Sequence, residues 1–153
     1  PLALPTGVLC IVMEFYTGKL SGYLSTGTAP QGVRSPAVYR ENFSLLSILF
    51  IFAAASFEEI IFRQVILKLF VDQIGLHFLL AALFSSLFYA LNHIYFGVNA
   101  VWQKLLTGLV YSLLFAASGY NILAPILTHA VQNVTLYAVS VNECKTRWEA
   151  KNV

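Results

Sequence analysis

The sequence predicts an all-α bundle of transmembrane helices, polytopic, with about four to five spans. Of its 153 residues, 58% are hydrophobic and only 10% are charged, whereas soluble domains carry about 25% charged residues. Several apolar runs approach or exceed the roughly 20 helical residues that cross a bilayer. This composition excludes water-soluble folds and favours a single membrane domain over residues 1–153. The net charge of +2 is too small to indicate a nucleic-acid partner.

The predicted elements follow from apolar runs separated by turn-forming residues. The N-terminal run at 2–16 is short and contains Glu14, and residues 17–40 are rich in Gly, Ser, Thr and Pro, which predicts a loop. The first long span exceeds the length that a bilayer needs, so we expect it to be tilted or bent. Pro125 falls in the first turn of the last span, where a missing N–H costs little. The four long spans are predicted at 42–71, 76–96, 101–117 and 122–142.

Turns and charges order these spans. Turns are predicted at 72–75, at Gly97 and Asn99, and at 118–121. Six of the nine Lys and Arg residues fall on one side, and Lys68 lies on the other side. The positive-inside rule therefore places the basic side in the cytosol or its organellar equivalent, in a multi-pass protein of a bacterial cytoplasmic membrane or a eukaryotic organellar membrane. The basic residues on that side are Lys19, Arg34, Arg40, Lys145, Arg147 and Lys151.

Three charged residues stand inside the first long span, in the stretch SFEEIIFRQ at positions 56–64. An ionisable side chain at the centre of a bilayer costs about 2.5–3.5 kcal/mol on insertion scales, so these residues must face the protein interior and find partners. Glu59 and Arg63 are four residues apart, which predicts that they pair along one helix face. Glu58 is turned about 100° from Glu59, so its partners must come from other helices.

The later spans offer those partners in His93, His129 and Asn133. All three could meet Glu58 in one cavity within the membrane. A carboxylate beside an imidazole can deprotonate a water molecule, and an imidazole with an amide one turn further on can stabilise an oxyanion. These side chains form the equipment for hydrolysing an amide bond inside a membrane.

Other interpretations of the same residues remain open. The polar side chains could form a structural network, or relay protons in a transporter. Two histidines and a glutamate could ligate zinc, although no His-Glu-x-x-His helix is present, and we expect no cofactor. Serines in apolar helices usually pack rather than react, and Tyr89 is also expected to pack. The serines concerned are Ser56, Ser85 and Ser86.

Three motifs in order resemble the CPBP family, which comprises CAAX proteases (type II CAAX prenyl endopeptidase-like) and bacteriocin-processing enzymes, also called Abi proteins. The first motif, Glu-Glu-x-x-x-Arg, stands at 58–63, and the second, Phe-x-x-x-His, stands at 89–93 with Tyr in place of Phe. The third, His-x-x-x-Asn, stands at 129–133. The resemblance covers about residues 45–140, where it implies a CAAX-protease-like catalytic core. It includes the stretch LTGLVYSLLFAASGYNILAPILTHAVQN.

The resemblance implies an intramembrane endopeptidase that cleaves a membrane-associated or prenylated substrate with a water activated by Glu58 and His93. It also implies that His129 and Asn133 form the oxyanion site, with supporting roles for Glu59 and Arg63. Gln64 departs from the glycine usual in the family and is expected to add bulk beside the site. The alternative function is a non-catalytic membrane subunit that assists assembly or stability of a larger complex. The expected partners are therefore a peptide or prenylated protein, the bilayer, and under the alternative a larger membrane complex.

Overall fold

The computed structural model describes residues 3–27 and 44–151, and all regular structure within these ranges is helical. This confirms the predicted all-α fold. Short helical stretches follow α2 at Ile60–Leu67 and Leu69–Gln73 and follow α3 at Ile94–Phe96. The α-helices are α1 at Ala3–Thr26, α2 at Leu45–Glu59, α3 at Phe78–Leu91, α4 at Val98–Ala117 and α5 at Leu123–Lys151.

The helix that begins as α2 changes its hydrogen bonding at the functional motif. After Glu59 the backbone continues as π-helical turns over Ile60–Leu67 and Leu69–Gln73. Each π-helical N–H bonds to the carbonyl five residues earlier, which widens the helix, and such turns occur frequently at functional sites. The two adjacent glutamates therefore stand where the α-helix ends, and Arg63 stands in the widened part.

The N-terminal helix is longer than the sequence predicts. Residues 17–40 are predicted as a loop, but α1 continues to Thr26, so the prediction is wrong for residues 17–26; residues 28–40 lie outside the described ranges. The physical reason is packing on α4, since a Cβ added to Gly18 would come within 2.5 Å of Nε2 of Gln103. Small residues allow such close helix contacts, which offset the poor helix propensity of glycine.

Two other predicted boundaries need smaller corrections. Asn99 lies inside α4 rather than in a turn, because the turn is made by Gly97, whose φ of 97° suits glycine. The last helix extends to Lys151 instead of ending at residue 142. The predicted turn around Gly75 is present, with φ of 75° at that glycine.

Two helical segments among the described residues are long and apolar enough to cross a bilayer, by length and composition: Leu45–Gln73 and Val98–Ala117. The helix α3 is apolar but has only 14 residues. These findings give the predicted count of four to five spans only weak support, and that count stays a prediction.

The helices pack so that the segment carrying the Glu-Glu-x-x-x-Arg motif contacts α3, α4 and α5. The helix α3 packs against α4, α1 packs against α4 and α5, and α2 packs against α5. Gly108 permits the closest contact between α3 and α4, because a Cβ there would lie 3.0 Å from Cβ of Ser86 and from Cδ1 of Tyr89. One turn before Gly108 on α4, an ion pair of 2.6 Å joins Lys104 to Glu14 of α1.

Candidate active site

Three of the four predicted catalytic side chains converge in the structure. Glu58 lies near the end of α2, His93 follows the end of α3, and His129 lies within the first two turns of α5. One carboxylate oxygen of Glu58 is 4.0 Å from Nε2 of His93, and the other is 3.7 Å from Nε2 of His129. Glu58 therefore stands between two imidazoles that come from different helices.

The other nitrogen of each imidazole has an acceptor, which determines where the protons lie. Nδ1 of His93 is 2.9 Å from the backbone carbonyl of Tyr89, and Nδ1 of His129 is 2.8 Å from Oε1 of Glu59. A carbonyl or a carboxylate can only accept, so we assign a proton to both Nδ1 atoms. In the neutral form of each ring, Nε2 then presents a lone pair toward Glu58.

The predicted pair of Glu59 and Arg63 is present and fully buried. Nε of Arg63 is 3.2 Å from Oε2 of Glu59, an ion pair that lacks the alignment of a hydrogen bond. The guanidinium also donates from Nη2 to the carbonyl of Gly108 at 2.9 Å. It lies over the rings of Tyr89 and Tyr111, at 4.7 and 5.3 Å from their centroids. These contacts offset part of the cost of the buried charge, and Nη1 of Arg63 is buried without a hydrogen bond among the described residues.

The structure adds contacts that the sequence did not indicate. Glu59 binds His129 as well as Arg63, and these residues are separated by 70 positions. The hydroxyl of Tyr111 donates to the side-chain oxygen of Gln132, and both residues are buried. Tyr89 is in contact with both imidazoles, with ring centroids 4.9 Å from His93 and 6.0 Å from His129. Tyr89, the first residue of the second motif, is the one signal in the sequence that could have indicated these contacts.

Two predicted residues differ from the rest. Asn133 is partly buried, and its side chain forms no hydrogen bond within the described residues, so the structure does not join it to Glu58. Gln64 is exposed, and the expectation that it adds bulk beside the site stays a prediction. The preceding residue, Arg63, is fully buried, so the two consecutive side chains point in different directions.

The three serines considered as nucleophiles occupy packing positions. The hydroxyl of Ser56 donates to the carbonyl of Phe52 at 2.8 Å, and the buried hydroxyl of Ser85 donates to the carbonyl of Phe62. The hydroxyl of Ser86 is buried without a hydrogen bond in the described part of the chain, beside Gly108. None of the three hydroxyls bonds to either imidazole of the cluster.

Among residues 3–27 and 44–151, no group of three or more His, Cys, Asp and Glu side chains is arranged to hold a metal ion. That the protein needs no metal stays a prediction, and treatment with a chelator tests it directly.

Comparison with known proteins identifies a family. The family model described as "Type II CAAX prenyl endopeptidase Rce1-like" matches residues 40–135, which is more than half of the 153-residue chain. No curated protein and no solved structure matches the chain significantly. The matched range contains all three motifs and the whole cluster around Glu58, and it excludes α1.

Proposed function

Because this chain belongs to the Type II CAAX prenyl endopeptidase Rce1-like family, we propose that it is an intramembrane endopeptidase. It hydrolyses a peptide bond of a membrane-associated or prenylated protein with a water molecule that Glu58 activates. In this proposal it is a multi-pass protein of one domain, with its catalytic core at about residues 45–140. The proposal assigns catalytic roles to Glu58, His93, His129 and Asn133 and needs no metal.

One observation carries the proposal: the two adjacent glutamates have different surroundings. The side chain of Glu59 is fully buried and bound to two partners. The side chain of Glu58 is 26% exposed, and among the described residues its carboxylate has only the two imidazole nitrogens within ion-pair distance. A water molecule and a peptide can therefore reach Glu58, whereas they cannot reach Glu59.

The tautomers explain how a water would be activated. A water placed beside Glu58 can donate one hydrogen to its carboxylate and the other to Nε2 of neutral His93. Both hydrogens are then bound, and a lone pair of the water oxygen is free to attack a carbonyl carbon. The separations of 3.7 and 4.0 Å exceed hydrogen-bond length, but catalytic hydrogen bonds are often long until the substrate is bound.

His129, on the other side of Glu58 from His93, can stabilise the negative charge that forms on the carbonyl oxygen during the attack. Nε2 of His129 lies 3.7 Å from Glu58, and its ring is held by Glu59 through Nδ1. A protonated His129 in this position donates to the oxyanion, the kind of preorganised contact that lowers the barrier most. Asn133 follows one turn later on α5, and its amide forms no hydrogen bond within the part of the chain that the structure describes, so we assign it as the second donor.

The test is cleavage by the purified full chain in liposomes, with a peptide that carries a prenylated cysteine near its C-terminus and the same peptide without the prenyl group. We expect Glu58→Gln to lower turnover by about 100-fold or more, as for loss of a general base, and to leave the thermal unfolding midpoint unchanged. Asp72→Asn is the matched control, because Asp72 is a half-exposed carboxylate of the same helix.

The other outcomes distinguish the alternatives. A folded wild-type chain that cleaves neither peptide would favour the non-catalytic membrane subunit. Turnover that survives Glu58→Gln, or unfolding caused by it, would assign a structural role to Glu58. Cleavage of both peptides at the same rate would support the peptidase activity and show that the enzyme does not recognise the prenyl group.

A further inference from the structure

Tyr89 is placed to act on both histidines of the candidate site. Its side chain is fully buried, and it stands where the second motif of the resembling family has Phe. Its backbone carbonyl accepts from Nδ1 of His93, and its ring lies against the guanidinium of Arg63 at 4.7 Å. Its hydroxyl is 3.5 Å from Nε2 of His129. The carbonyl and the ring would be the same in phenylalanine, so the hydroxyl is what this chain adds.

The hydroxyl of Tyr89 can form a hydrogen bond with Nε2 of His129 whether the ring is neutral or protonated. Nδ1 of His129 is committed to Glu59, so Nε2 of the neutral ring is an acceptor and needs a donor. The ionised carboxylate of Glu58, 3.7 Å away, cannot donate, whereas the hydroxyl of Tyr89 can. When Nε2 is protonated, the same hydroxyl can accept. A buried nitrogen left without a partner would cost free energy.

We propose that Tyr89 is a positioning residue whose hydroxyl pairs with Nε2 of His129 and so allows this histidine to carry a proton during turnover. This inference rests on the proposed peptidase function. Without the hydroxyl, the neutral ring would lose its only donor among the described residues. The ring would then be free to turn away from Glu58 or to remain charged.

The proton passes through this pair in balanced steps. Glu58 takes a proton from water as the water oxygen bonds to the carbonyl carbon and the carbonyl electron pair moves to its oxygen. Protonated Glu58 passes that proton to Nε2 of neutral His129, which then faces the oxyanion as a cation. His129 gives the proton to the amide nitrogen as the C–N bond breaks and its electron pair stays on nitrogen. The products are an acid and an amine, and both side chains regain their starting charges.

The test combines nitrogen NMR and kinetics on the full chain in liposomes, labelled with ¹⁵N-histidine. The sequence has three histidines, so substitution of the other two assigns the signals of His129. We expect Tyr89→Phe to shift the Nε2 resonance of His129 and to leave its Nδ1 resonance unchanged. We also expect kcat to fall by about 10-fold, at the lower edge of acid–base effects, with KM unchanged.

Tyr111→Phe is the spectroscopic control, because its ring lies 5.0 Å from that of His129 while its hydroxyl binds Gln132. It should leave the Nε2 resonance of His129 in place. Tyr95→Phe is the kinetic control, because Tyr95 is 90% exposed, and it should keep the wild-type kcat.

Each remaining outcome is decisive. An unchanged Nε2 resonance in Tyr89→Phe overturns the pairing, and a shifted resonance with wild-type kcat overturns the proton-carrying role. If the wild type cleaves nothing, the proposed function fails, and the resonance still decides whether the pair exists. If Tyr89→Phe does not fold, the wild-type spectrum decides, since absence of a tyrosine hydroxyl proton close to Nε2 removes the inference.

Discussion

The two sides of the buried cluster differ in how deeply their glutamate is buried and in how closely it is bound. On the closed side, Glu59 and Arg63 are fully buried and bind each other, His129 and the carbonyl of Gly108. On the open side, Glu58 is partly exposed and has only long contacts to His93 and His129. Adjacent residues of one helix thus reach opposite conditions through a turn of about 100°. One glutamate is therefore held by buried partners, whereas its neighbour keeps a carboxylate that solvent can reach.

Removing the cation of the closed side should have the largest effect. Arg63→Ala leaves Glu59 fully buried without its cation, with only the hydrogen bond to His129 among the described residues, and breaking a buried pair in this way costs about 3–5 kcal/mol. We expect a large loss of folded protein and of cleavage, measured by thermal unfolding in detergent. The matched control is Lys68→Ala, which breaks a half-exposed pair with Asp72 at 3.9 Å in the same helix and should cost about 1 kcal/mol or less.

The double variant Glu59→Gln with Arg63→Gln isolates the charge from the packing. It leaves no ion alone, so it should recover part of the stability that Arg63→Ala loses. If Arg63→Ala unfolds at the wild-type temperature, the ion pair of Glu59 and Arg63 does not stabilise the protein.

Neutralising Glu14, a buried carboxylate of α1 that forms no ion pair with the cluster among the described residues, should lower stability by a smaller amount. Glu14 binds Lys104 at 2.6 Å, and Glu14→Gln should cost about 1.5–3 kcal/mol, as for a hydrogen bond between charged groups. Cleavage per folded molecule should stay at the wild-type rate, because Glu14 has no contact with Glu58. Loss of turnover at full stability would show that the pair of α1 and α4 belongs to the active site.

A methyl group added between α3 and α4 probes how closely the closed side is packed. Gly108→Ala places a Cβ 3.0 Å from Ser86 and from Tyr89, so these neighbours must give way slightly, at a cost of about 1–3 kcal/mol for overpacking. Since the carbonyl of Gly108 binds Arg63, we expect lower turnover together with the lower melting temperature. An unchanged melting temperature would show that α3 and α4 separate without cost.

The smallest effect is expected from chelation. Treatment with a strong zinc chelator should leave turnover unchanged, because the proposed mechanism uses only water and side chains. Loss of turnover that returns when Zn²⁺ is added would replace this mechanism with a metal-dependent one.

Local spacing predicted much of the cluster, and tertiary packing decided the rest. The four-residue spacing of Glu59 and Arg63 was enough to predict their pairing, since it is a property of one helix. The bond between Glu59 and His129 joins positions 70 residues apart, so no local pattern could indicate it. The same holds for residues 17–26, whose glycines predict a loop until the contact of Gly18 with α4 is known.

The ion pair between Glu14 and Lys104 has a consequence for the order of synthesis. These residues are 90 positions apart, and at about 5–20 residues per second the ribosome adds Lys104 roughly 5–18 s after Glu14. During that interval α1 carries a carboxylate whose native partner does not yet exist. The helix α1 therefore cannot form this ion pair until α4 has been synthesised, and its packing against α5 forms later still.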